Sequence, residues 1–208
     1  MRKNSVAGLI GTAFLSWVAG VGPVANAADA AAGKALAAPC AACHGENGVA
    51  TVAGSANLAG QNERYLLRQM QAVRDKKRDI PLMAGQLDNK SDEDLANLAA
   101  HFSALPKSVG QAKDENLALG SQIYRGGIMA KGVAACTACH SPTGGGNPPA
   151  GFPRLSGQAP DYVLAQLKAY REGQRSTDED YGQMMRQVAN GLTDTEMAAV
   201  ANYVHGLH

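Results

Sequence analysis

The chain is poor in large aromatic side chains. It has 208 residues, of which one is tryptophan, three are phenylalanine and six are tyrosine, and Trp17 and Phe14 both lie in an apolar N-terminal run. Phe102 and Phe152 are the only phenylalanines beyond that run. A core with so few large rings is thin for a chain of this length, so another source of buried apolar volume is expected.

The chain also lacks an excess of charge of either sign. Residues 1–27 carry Arg2 and Lys3 and no acid, so their removal leaves 17 basic and 18 acidic side chains. A net charge near −1 gives no support for binding to nucleic acid or to an anionic membrane. Beyond the N-terminal run, no apolar stretch approaches the roughly 20 residues of a membrane-spanning helix.

The N-terminal segment has the pattern of a secretory signal peptide. Its two basic residues precede an uncharged apolar run from Val6 to Val21, and Ala25-Asn26-Ala27 follows as a small-x-small cleavage site. We therefore predict that residues 1–27 are cleaved and that the mature protein is exported. A retained membrane anchor is the alternative interpretation.

All four cysteines lie in two C-x-x-C-H pentapeptides, Cys40 to His44 and Cys136 to His140. Two cysteines three residues apart lie on one side of a helical turn, where Cys40 and Cys43, or Cys136 and Cys139, can each form a thioether to a haem vinyl group. The histidine that follows is then held under the iron. The motifs predict two covalently bound haems c with His44 and His140 as axial ligands, and the haems would supply the missing apolar volume.

Three other chemistries use paired cysteines. Structural zinc pairs usually lie closer in sequence than the 96 residues between Cys40 and Cys136. A thioredoxin-like redox pair needs a βαβ setting, and no strand pattern flanks either motif. Two structural disulfides suit an exported chain, but they leave both histidines unexplained.

An internal repeat relates the two halves of the chain. Residues 61–70 align with residues 158–167, each segment preceded by Leu-x-Gly, and residues 91–95 align with residues 193–197. Apolar residues recur at helical spacing, Ser91 and Thr193 begin capping boxes, and no run has the strand period. We predict an all-α fold of two tandem domains, residues 28–104 and 117–208, joined by the linker 105–116 and meeting about a pseudo-twofold axis.

Each domain offers a methionine as the second axial ligand. Met83 lies in a Pro/Gly loop, whereas Met70 lies on the apolar face of a helix and is expected to pack in the core. Counting back from the second capping box without gaps places Met185, and not Met184, opposite Met83. We predict Met83 and Met185 as ligands, and methionine in this position raises the potential of the haem.

Histidine in place of methionine is the alternative ligation. The three remaining histidines are His101, on the flank of the last helix of domain 1, and the terminal His205 and His208. Surface or capping roles are expected for all three.

Several longer motifs accompany the cysteine motifs. They are residues 58–65, 124–127, 151–158 and 203–208. Together with a C-x-x-C-H motif near the start of each half, a loop methionine about 40 residues later and a capped last helix, they resemble class I cytochrome c. Two such modules in one exported chain resemble the dihaem cytochrome c4 family.

This resemblance implies a periplasmic electron carrier, in some members membrane-associated, that passes electrons from quinol–cytochrome c reductase to terminal cytochrome oxidases. It also implies two haem domains with their propionates near the interface. The family often has proline before the Leu-x-Gly-Gln run. Pro153 fits this pattern, but Ala56 stands in its place in domain 1. If that carbonyl orients the proximal histidine, domain 1 is expected to hold His44 less rigidly.

Two other functions compete with the carrier. The chain is also similar to haem subunits of dehydrogenase complexes such as flavocytochrome c sulfide dehydrogenase. A dihaem peroxidase or dehydrogenase needs an open iron position, whereas each site here has a methionine to close it. We therefore predict an electron carrier and not an enzyme, although resemblance alone does not assign its partners.

Two basic features bear on the domain interface. Residues 124–127 have no counterpart in domain 1, and Arg125 is expected to reach a propionate or the other domain. The basic run Arg74 to Arg78 is expected to be a solvated helix end.

Overall fold

The structure, a computed structural model, describes residues 27–208, so all but the last residue of the predicted signal peptide lies outside it. The α-helices of this range are α1 (Ala30–Leu36), α2 (Ala41–His44), α3 (Glu63–Arg74), α4 (Asp92–Ala104), α5 (Leu117–Gly126), α6 (Thr137–His140), α7 (Pro160–Arg171), α8 (Met184–Asn190) and α9 (Asp194–His205). Short 3-10 helices lie at Ala38–Cys40, Pro81–Met83, Met129–Lys131 and Glu179–Tyr181. Apart from two isolated β-bridges, residues 27–208 form no β-structure, so the all-α prediction is confirmed.

The last helix of each domain begins at its predicted capping box. In α4 the Asp94 N–H donates to Ser91 Oγ at 3.0 Å, and the Ser91 N–H donates to Asp94 Oδ2 at 2.9 Å. Thr193 and Glu196 exchange the same two bonds at the start of α9. These reciprocal bonds satisfy backbone donors that a helix N-terminus leaves open.

Each domain packs its first helix against its last helix. α1 crosses α4 at Gly33, where a Cβ would overlap the carbonyl oxygen of Asn97. α5 crosses α9 at Gly120, where a Cβ would overlap the carbonyl oxygen of Ala199. Glycine is needed at both crossings because the two helix backbones lie too close together to leave room for a side chain between them.

Each domain has its own hydrophobic core. The core of domain 1 is formed by Ala37, Leu66, Val73, Leu87, Leu95, Leu98, Ala99 and Phe102. The core of domain 2 is larger and is formed by Ile123, Tyr124, Val133, Val163, Leu167, Tyr170, Ala189, Leu192, Met197, Val200, Ala201, Tyr203, Val204 and Leu207. The helices that carry these side chains leave one C-x-x-C-H motif beside each core.

The segment predicted as a linker, residues 105–116, is held against domain 2 by hydrogen bonds. The Ser108 carbonyl accepts from Arg154 Nη2 at 3.1 Å, and Ser108 Oγ donates to the Gly157 carbonyl at 3.0 Å. Further along, the Lys113 N–H donates to Asn202 Oδ1 at 2.8 Å. This segment is therefore part of the fold and does not act as a free tether.

The two domains meet through equivalent residues. Gln61 of domain 1 binds the backbone of Arg154, and Gln158 of domain 2 binds the backbone of Asn57. The repeat places Gln61 opposite Gln158 and Asn57 opposite Arg154. Such an exchange of equivalent contacts is the signature of a twofold relation.

Candidate haem sites and the interface between them

The two cysteine motifs have the same local structure. In each, the second cysteine and the histidine lie in a single helical turn, α2 in domain 1 and α6 in domain 2. All four cysteines are half-buried free thiols. Cys40 packs beside the core of domain 1 and Cys136 beside that of domain 2, so each motif faces the apolar interior of its own domain.

A backbone carbonyl orients the histidine of each motif. His44 Nδ1 lies 2.8 Å from the Ala56 carbonyl oxygen, and His140 Nδ1 lies 2.9 Å from the Pro153 carbonyl oxygen. Because a carbonyl oxygen only accepts, Nδ1 must carry the proton in both rings, which leaves the neutral Nε2 free to bind a metal. The carbonyl proposed from sequence to orient the proximal histidine therefore does so in both domains, with alanine as well as with proline.

Burial shifts the ionisation of the second motif. It lowers the pKa of His140, although the bond to the Pro153 carbonyl opposes that shift, and it raises the pKa of the Cys136 thiol to about 11. Burial also raises the pKa of Cys40 in domain 1. Burial therefore favours the neutral forms of His140, Cys136 and Cys40.

The two predicted methionines lie beside the same cores as the cysteines. Met83 ends the 3-10 helix Pro81–Met83 and packs against the core of domain 1, as Met70 also does. Met185 packs against the core of domain 2, whereas Met184 is 40% exposed. This difference in burial favours Met185 over its neighbour.

Met185 lies on a helix, α8, which the sequence did not reveal. Buried Asp178 accepts from the backbone N–H of Arg186 at 2.9 Å and from its Nε at 2.9 Å, which fixes the first turn of that helix. The offset between the two halves rises from 97 residues at Tyr65 and Tyr162 to 102 at the capping boxes, so domain 2 is longer in the stretch 174–183. This stretch folds back to support the methionine.

The remaining histidines divide between buried and surface positions. His101 is buried on α4 with its ring 5.1 Å from that of Phe102, so the expected surface or capping role is wrong for this residue. His205 Nδ1 lies 3.0 Å from the Gln158 carbonyl oxygen, and exposed His208 bonds to the Gly206 carbonyl within its own turn.

Two buried arginines cross the domain interface. Arg78 of domain 1 donates to Tyr162 Oη at 3.0 Å and to Gln166 Oε1 at 2.8 Å, both in domain 2, and also to Gln69 at 2.9 Å. The basic run Arg74 to Arg78 was expected to be solvated, and for Arg78 that expectation is wrong, because this side chain is buried at the interface.

Arg175 makes the matching contacts from domain 2. It donates to Tyr65 Oη at 2.9 Å and to Gln69 Oε1 at 3.0 Å in domain 1, and to Gln166 Oε1 at 2.8 Å in its own domain. We call these six residues the arginine cluster: Tyr65, Gln69, Arg78, Tyr162, Gln166 and Arg175. Since both guanidinium groups bond to the same two glutamine oxygens, their charges lie close together.

The arginine cluster contains no carboxylate. Within residues 27–208, neither Arg78 nor Arg175 forms a salt bridge. Burial opposes ionisation of Tyr162, but the two arginines outweigh it and lower its pKa to about 8. The buried Nε2 of Gln69 also has no partner. An uncompensated pair of buried cations calls for an anion.

The insertion at residues 124–127 lies away from this interface. Arg125 Nε donates to Tyr203 Oη at 2.9 Å, and Tyr124 Oη donates to the Ser141 carbonyl at 2.7 Å, both within domain 2. The expected contact of Arg125 with the other domain is therefore wrong. These residues end α5, and they brace the motif of their own domain.

The comparisons with known proteins agree with this arrangement. The cytochrome c family profile matches the chain twice, at residues 30–106 and 117–208. A cytochrome c4 from Pseudomonas aeruginosa is 48% identical over 182 residues, which cover 88% of this chain and 90% of that protein. The chain belongs to the cytochrome c4 family. A crystal structure of reduced cytochrome c4 from Pseudomonas stutzeri superposes with a TM-score of 0.85 at 42% identity, covering 88% of this chain and all of that one.

Family membership confirms two cytochrome c domains and makes the chain a dihaem electron carrier with two covalently bound haems c. The structure fits such a cofactor. Each motif offers two free thiols and an imidazole whose Nδ1 is bonded to a backbone carbonyl, and a partly buried methionine lies beside the same core. The uncompensated arginine cluster suits a cofactor that carries carboxylates.

A more distant relative is named for an enzyme that it serves. The thiosulfate dehydrogenase electron acceptor of Thiomonas intermedia is 36% identical over 184 residues, which cover 84% of this chain and 81% of that protein. Similarity therefore extends from cytochromes c4 to an electron acceptor of a dehydrogenase.

The arginine cluster is the main feature that the sequence interpretation missed. Its members recur at one spacing of 97 residues: Tyr65 and Tyr162, Gln69 and Gln166, Arg78 and Arg175. The first two pairs fall within the aligned repeat, but the arginines lie beyond its end. Extending the alignment past the ends of α3 and α7 would have found them.

Proposed function

We propose that this chain is an exported, periplasmic electron carrier between quinol–cytochrome c reductase and a terminal cytochrome oxidase. The observation that carries the proposal is the pairing, in each domain, of a C-x-x-C-H motif with a partly buried methionine beside one core. The signal-peptide pattern of residues 1–27 supports export. No helix among residues 27–208 is long and apolar enough to span a bilayer.

We assign covalent haem attachment to Cys40, Cys43, Cys136 and Cys139. The axial ligands of domain 1 are His44 and Met83, and those of domain 2 are His140 and Met185. The bound haem supplies a one-electron Fe(III)/Fe(II) couple. The chain orients each imidazole through a backbone carbonyl and limits solvent at each site with its core.

Closed sites of this kind suit electron transfer and not substrate binding. An axial histidine and an axial methionine leave no position for a substrate at the iron. Each domain then needs only to hold its cofactor in a fixed, apolar environment. We therefore propose that the chain has no catalytic activity of its own.

A second candidate function is that of an electron-accepting haem subunit in a dehydrogenase complex such as flavocytochrome c sulfide dehydrogenase. The similarity to a thiosulfate dehydrogenase electron acceptor supports this second candidate. Both functions use the same two sites, so the partner decides between them. Stable co-purification with a dehydrogenase from the native host would favour the second.

The first test is haem stoichiometry and ligation in the protein expressed with a c-type haem maturation system. Mass spectrometry of the denatured, mature chain is expected to give the mass of the polypeptide plus two haems. A spectroscopic redox titration is expected to show two haem sites, each with histidine and methionine ligands. A chain with one haem, or with an open high-spin site as isolated, would contradict the proposal. Reduction by quinol–cytochrome c reductase and reoxidation by a terminal oxidase then test the partners.

A further inference from the structure

In domain 1, one peptide group joins the axial-histidine candidate to the other domain. The carbonyl of Ala56 accepts from His44 Nδ1 at 2.8 Å. The N–H of the same peptide group belongs to Asn57, and it donates to Gln158 Oε1 of domain 2 at 2.7 Å. The histidine and the glutamine are thus hydrogen-bonded to opposite ends of one amide.

Domain 2 repeats this arrangement in the opposite direction. The Pro153 carbonyl accepts from His140 Nδ1 at 2.9 Å. The N–H of that peptide group, on Arg154, donates to Gln61 Oε1 of domain 1 at 2.7 Å. Each histidine is therefore linked to a glutamine of the other domain through two hydrogen bonds and one peptide group.

The backbone fixes the orientation of both glutamine amides. Gln158 Nε2 donates to the Asn57 carbonyl at 2.9 Å, and Gln61 Nε2 donates to the Arg154 carbonyl at 2.8 Å. A flipped amide would place its NH₂ group against a backbone N–H, so only one orientation satisfies all four groups. Both glutamines are 6% exposed, which leaves little room for water to replace them.

A hydrogen bond at one end of a peptide group affects the other end. The C–N bond has partial double-bond character, so an acceptor on the N–H shifts electron density toward the carbonyl oxygen. Hydrogen bonds chained in this way strengthen one another, by about 10–30% per bond. A stronger acceptor on Nδ1–H makes a metal-bound imidazole more basic, and a more basic ligand favours Fe(III) over Fe(II).

We propose that Gln61 and Gln158 are positioning residues that lower the reduction potential of the haem site in the opposite domain. This inference rests on the proposed axial roles of His44 and His140. It gives the paired domains a function that one domain alone lacks, because each site completes the hydrogen bonding of the other. Undocking the domains then raises both potentials.

The test uses the full-length chain with both haems, and the variants Gln61→Met and Gln158→Met, since methionine is unbranched, similar in length and without a strong donor or acceptor. A redox titration followed by NMR measures the two sites separately. Gln158→Met is expected to increase the reduction equilibrium constant of the domain 1 site two- to tenfold, where tenfold is 59 mV for one electron. Gln61→Met is expected to do the same in domain 2.

The His Nδ1–H resonance gives a readout that does not depend on electron transfer. In the reduced protein this signal is expected to move upfield for His44 in Gln158→Met and for His140 in Gln61→Met, because the bond to the carbonyl weakens. Gln158→Glu keeps an acceptor for the Asn57 N–H and is expected to restore the His44 signal. If Gln158→Met does not take up haem, Gln61→Met tests the same inference at His140.

Asn62→Met is the matched control. Asn62 also bonds across the interface, to the Phe152 carbonyl at 2.6 Å, but it touches neither the arginine cluster nor the peptide group that binds a histidine. An equal shift in the control, a shift only in the variant's own domain, or no shift in any variant would each overturn the inference. The wild-type spectrum distinguishes failure of this inference from failure of the proposed function. If the wild-type chain does not contain two histidine-ligated haems, the proposed function is contradicted before any variant is made.

Discussion

Domain 1 and domain 2 share a haem motif, a capped last helix and an interface, but they enclose their sites to different degrees. His140 is buried, whereas His44 is only partly so. Met83 ends a single 3-10 turn in which Leu82 is 72% exposed, whereas Met185 lies on α8. The helical repeat sets the position of the predicted ligands, and the additional residues of domain 2 set how well they are covered.

The aromatic side chains are divided just as unevenly. In domain 2, the Phe152 ring lies 6.3 Å from that of His140 and 5.6 Å from that of Tyr181. Ser55 takes the place of Phe152 in the repeat, and Tyr181 lies in a stretch that domain 1 lacks. The chain has few aromatic residues beyond the N-terminal run, and most of them lie in domain 2. We expect its site to be the less accessible of the two to small external ligands.

Removing the two methionines that are predicted as axial ligands gives the largest expected effect and tests this difference in enclosure. Met83→Ala and Met185→Ala are each expected to abolish the Met–iron charge-transfer band of one haem. Each is also expected to lower that haem's potential by on the order of 0.1 V, within the roughly 0.8 V that axial ligands span. Imidazole should then bind faster to the site opened by Met83→Ala. Met184→Ala is the control, and loss of the band in that variant would contradict the assignment of Met185.

Gly60 and Gly157 occupy equivalent positions with different neighbours. Both have positive φ, +63° and +72°, which costs alanine about 1–2 kcal/mol. A Cβ at Gly157 would overlap the Ser108 backbone oxygen, whereas at Gly60 the nearest atom is the flexible Lys107 side chain. We expect Gly157→Ala to reduce the free energy of unfolding by about 2–4 kcal/mol and Gly60→Ala by about 1–2 kcal/mol. Urea denaturation measures the free energy of unfolding of both variants. Equal losses would show that the segment 105–116 moves to accommodate the added Cβ at Gly157 as readily as at Gly60.

The arginine cluster tests what the domains share. Arg78→Gln and Arg175→Gln each remove a buried positive charge between the domains. The loss of this charge favours Fe(III), which carries one more positive charge than Fe(II). Each is expected to decrease the reduction equilibrium constants of both sites severalfold, where tenfold is about 59 mV. Arg74→Gln, at the surface end of α3, is the control and should leave both within twofold, because its charge is paired with Asp75 and Asp92. An effect confined to one site would show that the cluster serves one domain only.

The capping boxes give the smallest expected difference. The bond from Lys131 and the bond with the Thr193 backbone hold the pKa of Glu196 below its usual value, and the Ser91 backbone does so for Asp94. Because both pKa values are lowered in the folded state, this stabilisation is present above the unfolded pKa of about 4 and is lost as the pH falls below it.

Only domain 2 has the added lysine at its cap, so Lys131→Met should lower the midpoint of thermal unfolding at pH 7 slightly. Its effect should decrease as the pH falls through the lowered pKa of Glu196, and it should vanish once that carboxyl is protonated. Thr193→Ala removes the cap itself and is expected to cost about 1 kcal/mol. A loss for Lys131→Met that does not decrease as the pH is lowered would mean that the side-chain stem, and not its charge, stabilises α9.

The sequence alone determined the features that depend on short stretches of chain. The cysteine motifs, the two capping boxes and the repeat could be identified because each is specified within a few residues or by a fixed spacing. Counting back from a cap was enough to select Met185 over Met184, and the difference in their exposure supports that choice. The ligand assignment itself stays a prediction, as do the domain boundaries.

The tertiary structure decided which polar residues meet across the interface. Arg78 ends a basic run that looks solvated, and it is buried only because Tyr162 and Gln166 lie opposite it. Arg125 has the sequence context of an interface residue, yet it bonds to Tyr203 of its own domain. A local pattern carries no information about which residue, about 90 positions away in the chain, will supply the other half of a hydrogen bond. The docking of the two domains makes that choice.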